Sequence, residues 1–174
     1  MSLDLKVVSN AGPLMVLAKL NLLYLLKGLY GRVYFSNSVY DELVTEGIQQ
    51  GYQDAYTLKT FLEREWWQPE YIQMSNIPEE LKTVHLDRGE CDTLSLAFLL
   101  GSKLVLMDEN EGRKVARSLC LTVRGTLGIL AEAHQLRIMG EEQFRLNLLE
   151  IAERKDIWIS TPLIDRILDS IDQR

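Results

Sequence analysis

"LDRGECDTLSLAFLLGSKLVLMDENEGRKVA", residues Leu86–Ala116, decides the fold. Its middle, "KLVLMD" at Lys103–Asp108, is a short apolar run that reads as a buried strand ending in a carboxylate. Upstream, Asp92, Leu96 and Leu99 share one face at i, i+4 and i+7. That spacing predicts a helix which Gly101 stops, with both leucines in the core and Asp92 facing inward near the helix start. Downstream, "ENEGRKVARSL" predicts another helix. Helix, buried strand and helix in succession are the signature of a parallel sheet covered by helices.

The pattern extends in both directions. "LKVVS" at Leu5–Ser9 predicts a strand, and Pro13 suits the first turn of a helix reaching about Leu20, with Asn10 or Gly12 near its cap. A second helix is expected over Leu22–Leu29 and a strand over Arg32–Phe35. In "SNSVYDELVTEG", Ser36 or Ser38 is the expected cap, Val39, Leu43 and Val44 the apolar face, and Gly47 the stop. Further expectations are a helix over Tyr52–Trp66, a short strand at Tyr71–Met74, a short helix around Glu79–Lys82 and a last strand in "CLTVRG". "TLGILAEAHQL", "GEEQFRLNLLEIAER" and "TPLIDRILDSI" predict three closing helices. With no repeat or linker in 174 residues, the chain reads as a single α/β domain, 1–174. Its C-terminal helices, about residues 140–174, are expected to pack on that domain or on a partner, a second copy included.

Composition narrows the function. The net charge of −6 argues against a broad basic face of the kind that binds nucleic acid by charge alone. Cys91 and Cys120 make no disulfide framework and are expected as buried free thiols in a reducing, cytoplasmic setting. Lys19, Asn21 and Lys27 break the Leu-rich stretch Ala11–Gly31, which falls short of the ~20 apolar residues a membrane span needs. "MSLDLK" has no secretion pattern. His85 and His134 have no zinc-ligand spacing, and no phosphate-cradling glycine loop or nucleophile elbow is present.

The acids are more informative. Sites in parallel sheets form beyond the carboxyl ends of the strands. By that rule Asn10, after the first strand, and Asp108, after the strand in the quoted stretch, reach the same edge. Glu90 and Asp92 join them where a helix begins. Glu42 is preferred over its neighbour Asp41, because it lies one turn from Val39 beside Leu43. Alone, Asp92 reads as a helix cap and Glu42 as a surface acid. Together they form a cluster whose burial costs several kcal/mol unless a cation joins it. A Lys or Arg can serve, but Mg²⁺ or Mn²⁺ is better suited, since both prefer oxygen ligands.

Four motifs in order, "VVSNAGPL" (Val7–Leu14), "VYDEL" (Val39–Leu43), "LDRGECDTLSLA" (Leu86–Ala97) and "LVLMDENEGRKVA" (Leu104–Ala116), resemble the PIN-domain nucleases. With "GTLGILAEAHQLRIM" (Gly125–Met139) they resemble the small prokaryotic toxin-like branch most. The resemblance implies a three-layer α/β/α fold around a parallel four- or five-stranded sheet. It implies a Mg²⁺- or Mn²⁺-dependent ribonuclease, the toxin of a toxin–antitoxin pair, with RNA as substrate and a small antitoxin protein as partner. Asn10, Glu42, Asp92 and Asp108 take the catalytic and metal-holding positions, with Glu90 as an auxiliary acid. Asn10 departs from the aspartate most common there, and Ala11 and Gly12 replace hydroxyl residues often seen beside it. That departure leaves open a weakened module which binds RNA or protein without cutting. Arg113, Lys114 and Arg117, and also Arg88 and Arg124, are candidates for meeting RNA phosphates, each equally readable as a solvated helix charge.

Overall fold

The computed structural model describes residues 6–173 and divides into two compact units, Met1–Thr126 and Leu127–Arg174. Leu5, where the first strand was expected to begin, and the rest of the "MSLDL" start lie outside the described residues.

In the first unit, β1 (Val7–Ser9), β2 (Val33–Tyr34), β3 (Leu104–Leu106) and β4 (Thr122–Arg124) form an all-parallel sheet in the order β2-β1-β3-β4. Val7 pairs with Val33 on one side and Leu104 on the other, and Val105 pairs with Val123. Successive strand residues face opposite sides. Val8, Val105 and Met107 therefore share one face, where they pack with Leu94, Ala97 and Ala116. The β1-to-β2 and β3-to-β4 connections run in opposite directions, so right-handed crossovers put their helices on opposite faces. The result is the three-layer α/β/α arrangement, with four strands among the described residues.

Helices α1 (Ala11–Lys19) and α2 (Tyr24–Tyr30) follow β1. Asn10 is the cap residue of α1, but its side chain makes no capping bond. After β2, the buried Ser36 caps α3 (Asn37–Tyr40) by accepting from the Val39 amide at 3.4 Å. The helix does not stop at Gly47 as expected. It widens into a π-helical turn at Asp41–Glu46 and continues as α4 (Gly47–Gln49). Gly47 is helical, with φ −58°, and its bareness serves packing: a Cβ there would lie 2.8 Å from the Cβ of Ala55 on α5 (Gln53–Glu65).

Three more expectations fail in this unit. Tyr71–Met74 forms no strand; a single bridge, Ser36 to Glu70, is followed by a 3₁₀ turn at Met74–Asn76. Leu99 is 48% exposed, because α7 (Arg88–Leu100) turns its last residues to solvent before Gly101 ends it in the left-handed region. Cys91 is half-buried and Cys120 exposed, so neither is a core thiol. The short α6 (Glu79–Lys82) stands as expected, and α8 (Asn110–Ser118) fills the β3-to-β4 connection.

The second unit holds most of α9 (Thr126–Gln135), with α10 (Glu141–Glu153) and α11 (Thr161–Asp172). Ile129, Leu130, Met139, Phe144, Leu148 and Ile164 are buried. The His134 ring stacks on Phe144 at 4.9 Å, and an Arg145–Asp172 ion pair joins α10 to α11. Among the described residues no helix is long and apolar enough to cross a membrane.

Candidate active site

Backbone pairing fixes the site's floor. The Asn10 amide donates to the Leu106 carbonyl at 2.9 Å, and the Met107 amide donates to the Arg124 carbonyl at 2.9 Å. These bonds extend the ladders past β1 and β3, delivering Asn10 and Asp108 to one sheet edge. Asn10 is only 3% exposed. Its Oδ1 accepts from Thr93 Oγ1 of α7 at 3.2 Å, and its Nδ2 donates to Glu109 Oε2 at 3.2 Å. One amide thus links the ends of β1 and β3 to α7.

Asp108 is gripped by the start of α9. The Thr126 amide donates to Oδ1 at 2.7 Å and the Thr126 hydroxyl to Oδ2 at 2.6 Å. Burial pushes the Asp108 carboxyl above its ordinary range, against the pull of the two Thr126 bonds and the Arg113 guanidinium. Two glycines make room for this. A Cβ on Gly125 would lie 2.8 Å from Asp108 Oδ1, and one on Gly12 would lie 2.8 Å from Glu109 Oε1 and 3.2 Å from Asp108 Oδ2.

A second group of oxygens meets around Gly89. A Cβ there would lie 3.4 Å from Asp87 Oδ1, and 3.5 Å from both Asn10 Oδ1 and Glu42 Oε2. The three oxygens come from the cap of α7, the cap of α1 and the π-helical turn. Glu42, Asp87 and Gly89 itself line a cavity of about 400 Å³, together with Ser38, Asp41, Glu46 and Arg88. The Glu42 side chain reaches solvent at the mouth of this cavity. Its carboxyl is nonetheless pushed up, first by desolvation and then by the charges of Asp87, Glu109 and Glu46.

Glu90 and Asp92 are differently placed. Asp87 and Glu90 form a capping box: the Glu90 amide donates to Asp87 Oδ1 at 2.7 Å, and the Asp87 amide to Glu90 Oε2 at 3.2 Å. The other Glu90 oxygen accepts from the Gly112 amide at 3.1 Å, tying α7 to α8. The cap of α7 is therefore Asp87 and not Asp92. Asp92 is 6% exposed, as its inward position predicts, and Arg88 Nε stands 3.7 Å from its Oδ2. Among the described residues no hydrogen bond or ion pair joins Asp92 to Asn10, Glu42 or Asp108.

The cations divide in the same way. Arg113 Nη1 donates to the Met107 carbonyl at 2.7 Å, bracing the strand end beside Asp108; desolvation, then Arg117, pull its guanidinium pKa down. Lys114 pairs with Glu111 at 2.6 Å, and Arg124 donates to the Tyr30 hydroxyl at 3.1 Å. Arg117 is exposed on α8.

No three His, Cys, Asp or Glu side chains among the described residues stand together as a ready metal site. The cradle at Gly89 is made of two carboxylates and an amide oxygen, and its donors fit a hard divalent ion. Glu42 lies among like charges, and among the described residues the only cation lining the cavity is Arg88, which is turned to Asp92. Asp87, Glu109, Thr93 and Thr126 were missed from the sequence. Asp87 had a readable signal, an acid three residues before Glu90 at a helix start. Glu109 had only its adjacency to Asp108, and the two threonines had none.

A family model described as a PIN domain matches residues 6–173. No curated protein and no solved structure matches the chain.

Proposed function

The chain belongs to the PIN-domain family, whose members are in general nucleases, and from that premise we propose that it is a metal-dependent ribonuclease. The reaction is hydrolysis of an RNA phosphodiester bond. The observation that carries the reading is the cradle at Gly89, where Asn10, Glu42 and Asp87 bring oxygens from three elements to one point beside a cavity. A bound Mg²⁺ or Mn²⁺ would polarise the phosphodiester and lower the pKa of an attacking water. Asn10, Glu42, Asp92 and Asp108 would hold it, with Asp87 as an added donor. Thr126 fixes the Asp108 carboxylate in place, and Arg113 braces the strand end beside it through the Met107 carbonyl. Glu90 serves the architecture of the cleft through its two backbone bonds. Arg88, Lys114 and Arg117 meet the RNA phosphates, so that an acidic protein needs no broad basic face.

The role as a toxin and the antitoxin partner rest on the motif resemblance, and the cytoplasmic setting on the two cysteines that form no disulfide framework. A match running through both units supports counting 1–174 as one domain. The exposed Leu146, Leu149 and Trp158 of the second unit support a partner there, the antitoxin or a second copy.

One observation favours a second reading. The Asn10 amide is already bonded at both ends and brings no charge, which suits a module that binds RNA or protein without cutting. The two readings separate in one experiment. The ribonuclease raises its melting temperature with Mn²⁺ and cleaves single-stranded RNA, and Asp92→Asn or Asp108→Asn abolishes cleavage with the fold intact. RNA binding without cleavage, and without a Mn²⁺ shift, establishes the module instead.

A further inference from the structure

The Asn10 amide has a donor end and an acceptor end, and its neighbours differ in what they can take. Thr93 Oγ1 can donate or accept, whereas a carboxylate only accepts. Glu109 Oε2 therefore selects the amide nitrogen, at 3.2 Å, and the amide oxygen is left facing Thr93 and the Gly89 cradle. We propose that Glu109 is a positioning residue of the active site: through its bond to Asn10 it turns the amide oxygen, not the nitrogen, toward Glu42 and Asp87.

The inference rests on the ribonuclease reading and adds to it a residue outside the four motif positions. An oxygen turned into the cradle can join the ligands of a cation; an NH₂ group turned inward opposes one. An aspartate in place of Asn10 needs no such partner, because both of its ends are oxygens. The asparagine at 10 and the acid at 109 are thus two halves of one arrangement. Gly12 belongs to it as well: a Cβ there would lie 2.8 Å from Glu109 Oε1, so a bare position 12 lets that carboxylate reach Asn10.

The test is a double-mutant cycle of Glu109→Gln, Asn10→Asp and the pair, read by calorimetric titration of the full chain with Mn²⁺. Glu109→Gln alone weakens Mn²⁺ binding about tenfold or more, the scale for losing a residue that orients a metal ligand. In the Asn10→Asp background the same change shifts affinity by less than about threefold, because the amide it orients is gone. An equal loss in both backgrounds overturns the proposal, as does no loss in either. A readout without metal accompanies it, the side-chain NH₂ resonances of Asn10 by NMR. Glu109→Gln shifts or broadens them if Glu109 sets the amide's orientation; unchanged resonances overturn it. If the natural chain binds no Mn²⁺, the ribonuclease reading falls, and the amide resonances alone decide whether Glu109 orients Asn10.

Discussion

Glu90 and Glu42 are both held above the ordinary glutamate range chiefly by desolvation, yet their surroundings differ. Glu90 lies at the α7–α8 junction with an N–H donor on each oxygen, from Asp87 and from Gly112. Glu42 lies at the cavity rim, where the neighbouring charges are Asp87, Glu109 and Glu46. The first region has met the cost of a buried acid by hydrogen bonding; the second has left it standing. The contrast separates acids whose burial is met by N–H donors from acids left among like charges, which sequence position alone does not do.

The largest expected effect is on the satisfied side. Glu90→Ala removes both acceptors and half of the capping box, and should cost about 3 kcal/mol, read as a lower urea midpoint. An unchanged midpoint removes the contrast, because Glu90 would then be as dispensable to the fold as Glu42. Next comes Gly89→Ala. Its Cβ meets three oxygens at 3.4–3.5 Å, ordinary contact distances, so the fold tolerates it. Alanine in the first turn of α7 adds up to ~1 kcal/mol of stability. The methyl fills the cradle, so Mn²⁺ affinity by calorimetry should fall about tenfold or more, on the scale of disturbed metal-ligand geometry. Gain in stability with loss of metal sharpens the comparison; intact Mn²⁺ affinity moves the cation away from Gly89.

The smallest effect is a pH dependence. The folded-state pKa of Glu42 is raised above 4.5, so its favourable contribution is fully present below about that pH and is lost as pH rises through the raised value. Without metal, Glu42→Gln should match the natural chain near pH 4.5 and exceed it at pH 7. Because the side chain reaches solvent, the gain is a fraction of a kcal/mol. Melting temperatures across that range measure it. Saturating Mn²⁺ should reverse the order at pH 7, since only the natural chain keeps the carboxylate.

Much of the fold was legible because β1 and β3 are short apolar runs fenced by Asn10, Gly101 and Asp108, and because parallel sheets put their sites beyond such strand ends. The edge shared by Asn10 and Asp108 followed from that rule alone. Side-chain direction was less legible. Leu99 fits the i+7 face, but the last turn of α7 lies in solvent, a fact of neighbours and not of period. Glu90 and Asp92 look alike in sequence, yet one is spent on backbone amides and the other faces Arg88. Glu109 escaped because its role depends on Asn10, 99 positions away in the chain. Gly47 misled because a bare residue in a helix reads as a stop until Ala55 is seen against it.

The π-helical turn at Asp41–Glu46 carries a consequence for how this chain can change. Such a turn holds one residue more than a regular α-helical one, and it shifts the phase of everything on one side relative to the other. Deleting a single residue between Ser36 and Gly47 would restore a regular ladder while rotating a different side chain onto the rim, with Asp41 the nearest alternative to Glu42. Single-residue gaps here would therefore matter more than most substitutions, because they exchange which acid is offered and how far it reaches.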